Sequence, residues 1–247
     1  MSYLRKIRKI IINAINLLVY KTDHFSDMGI IDEEFGEIYK QCKPFTVSSK
    51  LSLYSTYKSI EYIIKNRIPG AIVECGVWKG GSALTIILTL IKFGDTDRQI
   101  YLYDTYNGMT KPTSMDFSIL DKKLALPRWE KNQFKEWEIG TLEEVKKILF
   151  YTKYSLNKIV FVKGDVEETI SQIYPEKISL LRLDTDWYSS TKHELVNLFP
   201  RLVNGGVLIV DDYGYWAGSK KAVDEFFKEK PILLTRIDQT ARIAIKT

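Results

Sequence analysis

A chain of 247 residues, 45% of them hydrophobic and 27% charged, is long enough for one α/β domain with appendages and short for two full domains. Its net charge of +5 permits contact with anionic ligands. There is no zinc-finger spacing, RNA-binding motif or long Lys/Arg block, so nucleic acid is not an expected partner. Two cysteines, Cys42 and Cys75, are too few for a disulfide framework, and a reducing cytoplasm is the expected location.

The chain opens with Arg5, Lys6, Arg8 and Lys9, followed by an apolar run with two asparagines over residues 10–20. No small-x-small cleavage site follows, and the run is too short to span a bilayer. It reads as an amphipathic helix that docks on this chain or on a second copy, with peripheral contact to a membrane surface as the alternative. A homo-oligomer is the matching expectation. His24 reads as a surface residue. Residues 1–68 together read as a helical N-terminal extension. Ser48 and Ser49 are N-cap candidates for a helix in which Leu53, Tyr57, Ile60 and Ile64 recur at helical spacing. Pro69-Gly70 ends it.

From residue 69 to 247 strands and helices alternate. Residues 71–75 read as a strand, 82–93 as a helix and 99–104 as a strand. Residues 105–140 are polar and aromatic, contain Pro112 and Pro127, and lack periodicity. An insertion of that length is expected to be an active-site lid. Thr141 and Glu144 form a capping box, so a helix should run to about residue 154. Next come a strand (158–163), a short helix (166–173), a strand (178–184), a helix (190–202), a strand (206–211) and a helix (219–228). Segments 232–237 and 241–246 close the chain as an antiparallel hairpin. The repeated order predicts a parallel, Rossmann-like α/β sheet with helices on both faces.

The run VECGVWKGGS sits between the first strand and the first helix of this alternation. Its glycines allow close backbone approach, and the helix start offers free N–H groups to an anionic group. The spacing is not G-x-G-x-x-G, which argues against a dinucleotide. A tight turn without a ligand is the plainer alternative. Asp104, followed by Thr105 at the end of the second strand, is placed to accept ribose hydroxyls or to cap a loop. Asp165, after the third strand, is placed to cap the next helix or to meet an adenine amino group.

Asp184 and Asp186 follow one apolar run, and Asp211 and Asp212 another. Asp184 and Asp186 are two apart, so an extended backbone would aim them to one side. Four clustered carboxylates either take up protons or recruit a hard cation such as Mg2+, Ca2+ or Mn2+. Three would bind the metal and the fourth would stay free as a base. The bland alternative is helix capping with ion pairs to Lys192 or Lys221. His193 is a reserve base, although a lone histidine is more often structural. Trp187, Tyr188, Tyr213, Tyr215 and Trp216 flank the acids and either stack on an acceptor or pack.

Four stretches, VECGVWKGGSA, YDTYNGM, LRLDTDWYSST and GGVLIVDDYG, together resemble the macrocin O-methyltransferase family. They run in family order, and the resemblance extends from about residue 45 to residue 230. The resemblance implies a class I methyltransferase sheet with a reversed last strand. It implies S-adenosylmethionine at Glu74, Gly76, Ser82 and Asp104, with Asp165 near the adenine. Lys79 and Thr105 of the same two motifs join the expected cofactor set. It also implies Mg2+ held by Asp184, Asp211 and Asp212, with Asp186 as general base on a sugar hydroxyl and His193 as the rival base. The expected acceptor is a small molecule or glycan. The alternatives are a phenol or catechol acceptor, or a non-catalytic cofactor-binding subunit. A nicotinamide oxidoreductase is the weakest reading, because hydride transfer has no evident use for four acids.

Overall fold

The central strands are buried on both faces and read as continuous apolar runs, as covered parallel strands do. β1 (Ala71–Cys75) and β4 (Ile178–Leu183) are buried at every residue. The computed structural model describes residues 32–131 and 139–247. The basic segment with its expected amphipathic helix, and His24, lie outside the described residues.

β2 (Ile100–Asp104) and β3 (Ile159–Lys163) lie on one side of β1, and β4 and β5 (Leu202–Val210) on the other. All of these pairings are parallel. β7 (Arg242–Ile245) then runs antiparallel to β5, and β6 (Thr235–Arg236) antiparallel to β7. The sheet order is β3-β2-β1-β4-β5-β7-β6. This is the expected class I methyltransferase arrangement with its reversed strand. The closing hairpin is shorter than expected, because β6 keeps only two residues. β5 begins earlier than expected, at Leu202, because Asn204-Gly205-Gly206 interrupts the apolar run that Leu202 and Val203 open.

Two helical layers cover the sheet. α1 (Glu33–Cys42), α2 (Lys50–Lys65), α3 (Gly81–Lys92) and α5 (Leu142–Phe150) share one core with Ile72, Leu102, Leu180 and Ile209. α6 (Val166–Thr169), α7 (Tyr188–Leu198) and α8 (Ala217–Phe226) cover the other face, over Val73, Leu181, Leu183 and Val210. Leu53, Tyr57, Ile60 and Ile63 of α2 are buried, so α1 and α2 pack into the same core as the sheet. Ser49 caps α2 by accepting from the Ser52 N–H, and Thr141 with Glu144 forms the expected capping box of α5. α5 stops at Phe150, four residues short of expectation, and a turn with left-handed Lys153 follows. Cys42 and Cys75 are buried free thiols.

The insertion after β2 is not structureless. Within it α4 (Leu126–Glu130) forms, Phe117 bridges Leu124, and Ser118 bridges Trp216.

Candidate active site

Strand register brings the charges together. Glu74 on β1 lies beside Arg182 on β4, and Arg182 beside Ile209 on β5. Side chains two apart along a strand share a face. Arg182 therefore faces the α2 layer with Leu180, and Asp184 and Asp211 follow at the strand ends on the same side. Arg182 is fully buried and forms the hub of this layer. Its Nη1 donates to Glu74 Oε1 at 3.1 Å and to Asp184 Oδ2 at 2.7 Å. Its Nη2 donates to Asp211 Oδ1 at 2.8 Å and to Ser48 Oγ at 3.3 Å. Ser52 of α2 adds a second donor to Asp211 Oδ1 at 3.0 Å. The surrounding carboxylates push the Arg182 guanidinium further up, against the burial that opposes its charge.

Burial pushes Glu74 up to about 7, although Arg182 and the Ser82 hydroxyl pull it down. Glu74 Oε1 accepts from Ser82 Oγ, and Glu74 Oε2 is buried with no partner among the described residues. Burial, with Asp184 second, pushes Asp211 up to about 7. Asp212 is also pushed well above the usual carboxylate range by burial, then by Asp186 and Asp184. One buried guanidinium thus faces several acids, an arrangement that favours either protonation or a bound cation.

Asp184, Asp211 and Asp212 each offer an oxygen, and these atoms lie within 4.8 Å of one another. Three hard oxygen donors at that spacing fit Mg2+, Mn2+ or Ca2+. Asp186 stands beside them by a route other than strand alternation. β4 ends at Leu183, and Asp186 adopts a left-handed φ of 67°. Its N–H donates to Asp212 Oδ2 at 3.0 Å, and its Oδ1 accepts from Trp216 Nε1 at 2.7 Å. Burial, then the Asp184 charge, pushes its carboxyl well above the usual range.

The glycine-rich turn forms the other end of the site. Gly76 has φ +84°, and a Cβ there would meet the Asp184 carbonyl oxygen at 1.9 Å. Only glycine lets β1 leave the sheet so close to β4. α3 starts at Gly81 without a side-chain cap among the described residues, so its first N–H groups can meet an anion. Asp104 braces this turn. Its Oδ2 accepts from Val77 N at 2.7 Å and Trp78 N at 2.9 Å, and its Oδ1 from Tyr106 N at 2.6 Å. Asp165 caps α6 by accepting from Glu167 N at 2.9 Å.

A cavity of about 890 Å³ joins the two ends. Gly76, Ser82, Asp104, Thr105, Asp165, Asp184, Asp186, Asp211 and Asp212 all line it. Glu74, Lys79 and His193 are not among its lining residues. Lys79 lies 5.1 Å from the centre of the Trp78 ring. His193 is half-buried on α7. Lys192 and Lys221 pair with Glu225 rather than with the acids.

The insertion is fastened to the acidic end by Asp116, which is fully buried. Asp116 Oδ1 accepts from Tyr188 N at the start of α7 at 2.8 Å, and its Oδ2 from Thr113 N at 2.7 Å. Trp187 Nε1 donates to Thr110 O at 3.0 Å, and Trp129 Nε1 to Met109 O at 3.1 Å. The Trp187 and Trp216 rings meet edge-on with centres 5.0 Å apart. These indoles pack and position while also lining the cavity. Sequence reasoning missed Arg182, Ser48, Ser52 and Asp116. A lone arginine in an otherwise apolar strand was the available signal for the first.

Comparison with known proteins follows the same lines. A family model described as macrocin O-methyltransferase (TylF) matches residues 43–244. The chain is 31% identical over 156 residues to an 8-demethyl-8-(2,3-dimethoxy-alpha-L-rhamnosyl)-tetracenomycin-C 4'-O-methyltransferase of Streptomyces olivaceus, covering 62% of this chain and 57% of that protein. It is 32% identical over 169 residues to a demethyldecarbamoylnovobiocin O-methyltransferase of Streptomyces niveus, covering 68% and 62%. The matched part therefore spans less than two thirds of the length of these two relatives. The solved O-methyltransferase NovP superposes with a TM-score of 0.71 at 26% identity, over 82% of each chain. A calicheamicin methyltransferase shares the fold at a TM-score of 0.57 and 20% identity, over 86% of this chain and 91% of that one.

Proposed function

The chain belongs to the macrocin O-methyltransferase family, and from that premise we propose that it methylates a sugar hydroxyl of a glycan or glycosylated small molecule, using S-adenosylmethionine and a divalent cation. The observation that carries this reading is one cavity with a glycine turn and an open helix start at one end and the Asp184–Asp211–Asp212 cluster beside Asp186 at the other.

S-adenosylmethionine supplies an electrophilic methyl group, and the cation supplies positive charge that favours a deprotonated acceptor oxygen. The N–H groups at the start of α3 would hold the cofactor's carboxylate. The turn between β1 and α3 gives it a wall, and Asp104 keeps that turn in shape. The Gly164-Asp165 corner lines the same cavity and would receive the adenine. Asp184, Asp211 and Asp212 would hold the cation. Asp186 takes the proton of the acceptor hydroxyl on its carboxylate. Burial and the Asp184 charge raise that carboxyl well above its ordinary range. A cation held by the three acids would offset part of the Asp184 charge and so would favour the carboxylate form of Asp186. Trp216 holds the Asp186 carboxylate in place through Nε1. The insertion, fastened by Asp116, shields the reacting end from water.

Calorimetry should show saturable binding of S-adenosylmethionine and its demethylated product. Methyl transfer to a glycoside panel should be abolished by EDTA and by Asp184→Ala. Activity that survives both treatments, or a preference for catechols over glycosides, would overturn this function.

A further inference from the structure

The acids of the cluster are not equally free around their two oxygens. Asp184 Oδ2 is held by Arg182 Nη1 at 2.7 Å. Asp211 Oδ1 is held by Arg182 Nη2 at 2.8 Å and by Ser52 Oγ at 3.0 Å. Asp212 Oδ2 is held by the Asp186 N–H at 3.0 Å. Among the described residues, Asp184 Oδ1, Asp211 Oδ2 and Asp212 Oδ1 accept no hydrogen bond. Arg182 is itself fixed on four sides, by Glu74, Asp184, Asp211 and Ser48, and is fully buried. A planar fork so fixed can satisfy two carboxylates at once, which an ammonium group cannot do in the same geometry.

We infer that Arg182 is a positioning residue that leaves Asp184 and Asp211 one metal-facing oxygen each, so that the site selects a small six-coordinate divalent cation over calcium. This rests on the proposed metal reading of the cluster. The reasoning is one of ligand count. Calcium takes about six to eight oxygens at about 2.3–2.6 Å and gains from two-oxygen carboxylate grips, whereas magnesium takes octahedral single-oxygen contacts at about 2.0–2.1 Å and keeps its waters. Three acids offering one oxygen each suit the second and starve the first.

The test is competition on the full chain stripped with EDTA, without cofactor or acceptor. Mn2+ binding is followed by the loss of its free-ion electron paramagnetic resonance signal, and MgCl2 or CaCl2 is added to displace it. Wild type should release Mn2+ to lower concentrations of Mg2+ than of Ca2+. Arg182→Lys keeps the charge and loses the fork, so metal affinity should fall about 10–100-fold and the preference for Mg2+ should narrow or invert. A merely charge-neutralising arginine would leave that ratio unchanged in the lysine variant, and this result would overturn the inference. Wild type that prefers Ca2+, or treats the two ions alike, would overturn it too, whether or not the lysine variant folds. Ser52→Ala removes only the second donor to Asp211 and should keep the ratio; a ratio lost there would assign the selection to Ser52 instead. Mn2+ binding without discrimination removes this inference alone. No Mn2+ binding by wild type removes the metal reading and the inference with it.

Discussion

The two ends of the cavity treat their carboxylates in opposite ways. At the glycine turn, Asp104 receives three backbone N–H groups, and its negative charge is spent on holding the chain's own loop. At the acidic end, the carboxylates outnumber the single buried guanidinium, and each of Asp184, Asp211 and Asp212 keeps an oxygen that no donor meets among the described residues. One end is complete in itself, whereas the other has geometry but lacks charge. That contrast supports the proposed cation at the acidic end, since the glycine turn has no comparable excess of acids.

The sharpest way to press this contrast is to alter one acid at each end. Asp186→Asn should lower the methyl-transfer rate about 10²–10⁴-fold, as loss of a general base does, while calorimetric affinity for S-adenosylmethionine stays at the wild-type value. A rate within a few-fold of wild type would remove Asp186 from the chemistry. Gly76→Ala strikes where the ends meet, since a Cβ would lie 1.9 Å from the Asp184 carbonyl oxygen at a left-handed φ. It should cost more than about 2 kcal/mol in urea unfolding, from the backbone conformation and overpacking together. An unaffected midpoint would show that β1 and β4 can separate there.

Asp104→Asn should cost about 1.5–3 kcal/mol, the worth of hydrogen bonds to a charged group, and should weaken cofactor binding with little change in metal affinity. If metal affinity fell equally, the two ends would not be separable. The acidic end also predicts a pH dependence. Glu74 and Asp211 are both raised to about 7 in the fold, above their ordinary values of 4.5 and 3.8. Their protonated forms suit the metal-free fold. The stability they confer is complete below about pH 4 and is lost as pH rises through 7. In EDTA the melting temperature should therefore fall between pH 5 and pH 8, and Mg2+ should flatten the fall. A metal-free protein more stable at pH 8 than at pH 5 would contradict this. Smallest is Ser49→Ala, which removes the α2 cap and should cost about 1 kcal/mol without altering the order of metal preference.

The strand–helix order was readable because apolar runs, glycines and helix caps are local signals. The strand-end acids were readable because charge after an apolar run is conspicuous. Arg182 was passed over because β4 is buried on both faces, and strands of that kind lose the alternation that separates core from site. The grip of Asp116 on Tyr188 spans 72 residues and leaves no local trace. The same holds for Ser52, whose hydroxyl reaches an acid 159 residues away. Asp186 was placed among the acids by an argument from extended backbone. It stands beside them through a left-handed turn instead. The aperiodic insertion concealed α4 and two bridges, because short elements held by long-range contacts need no periodicity of their own.

The two buried thiols offer a chemical silence that can be put to use. Burial pushes Cys42 up to about 11 and Cys75 well above its ordinary value, so neither presents a thiolate to a reagent at neutral pH. Leu120, on the insertion and 74% exposed, also lines the cavity. A Leu120→Cys variant would therefore carry one addressable sulfur. A fluorophore or spin label attached there would report movement of the insertion against a dark background, with no native cysteine needing removal first.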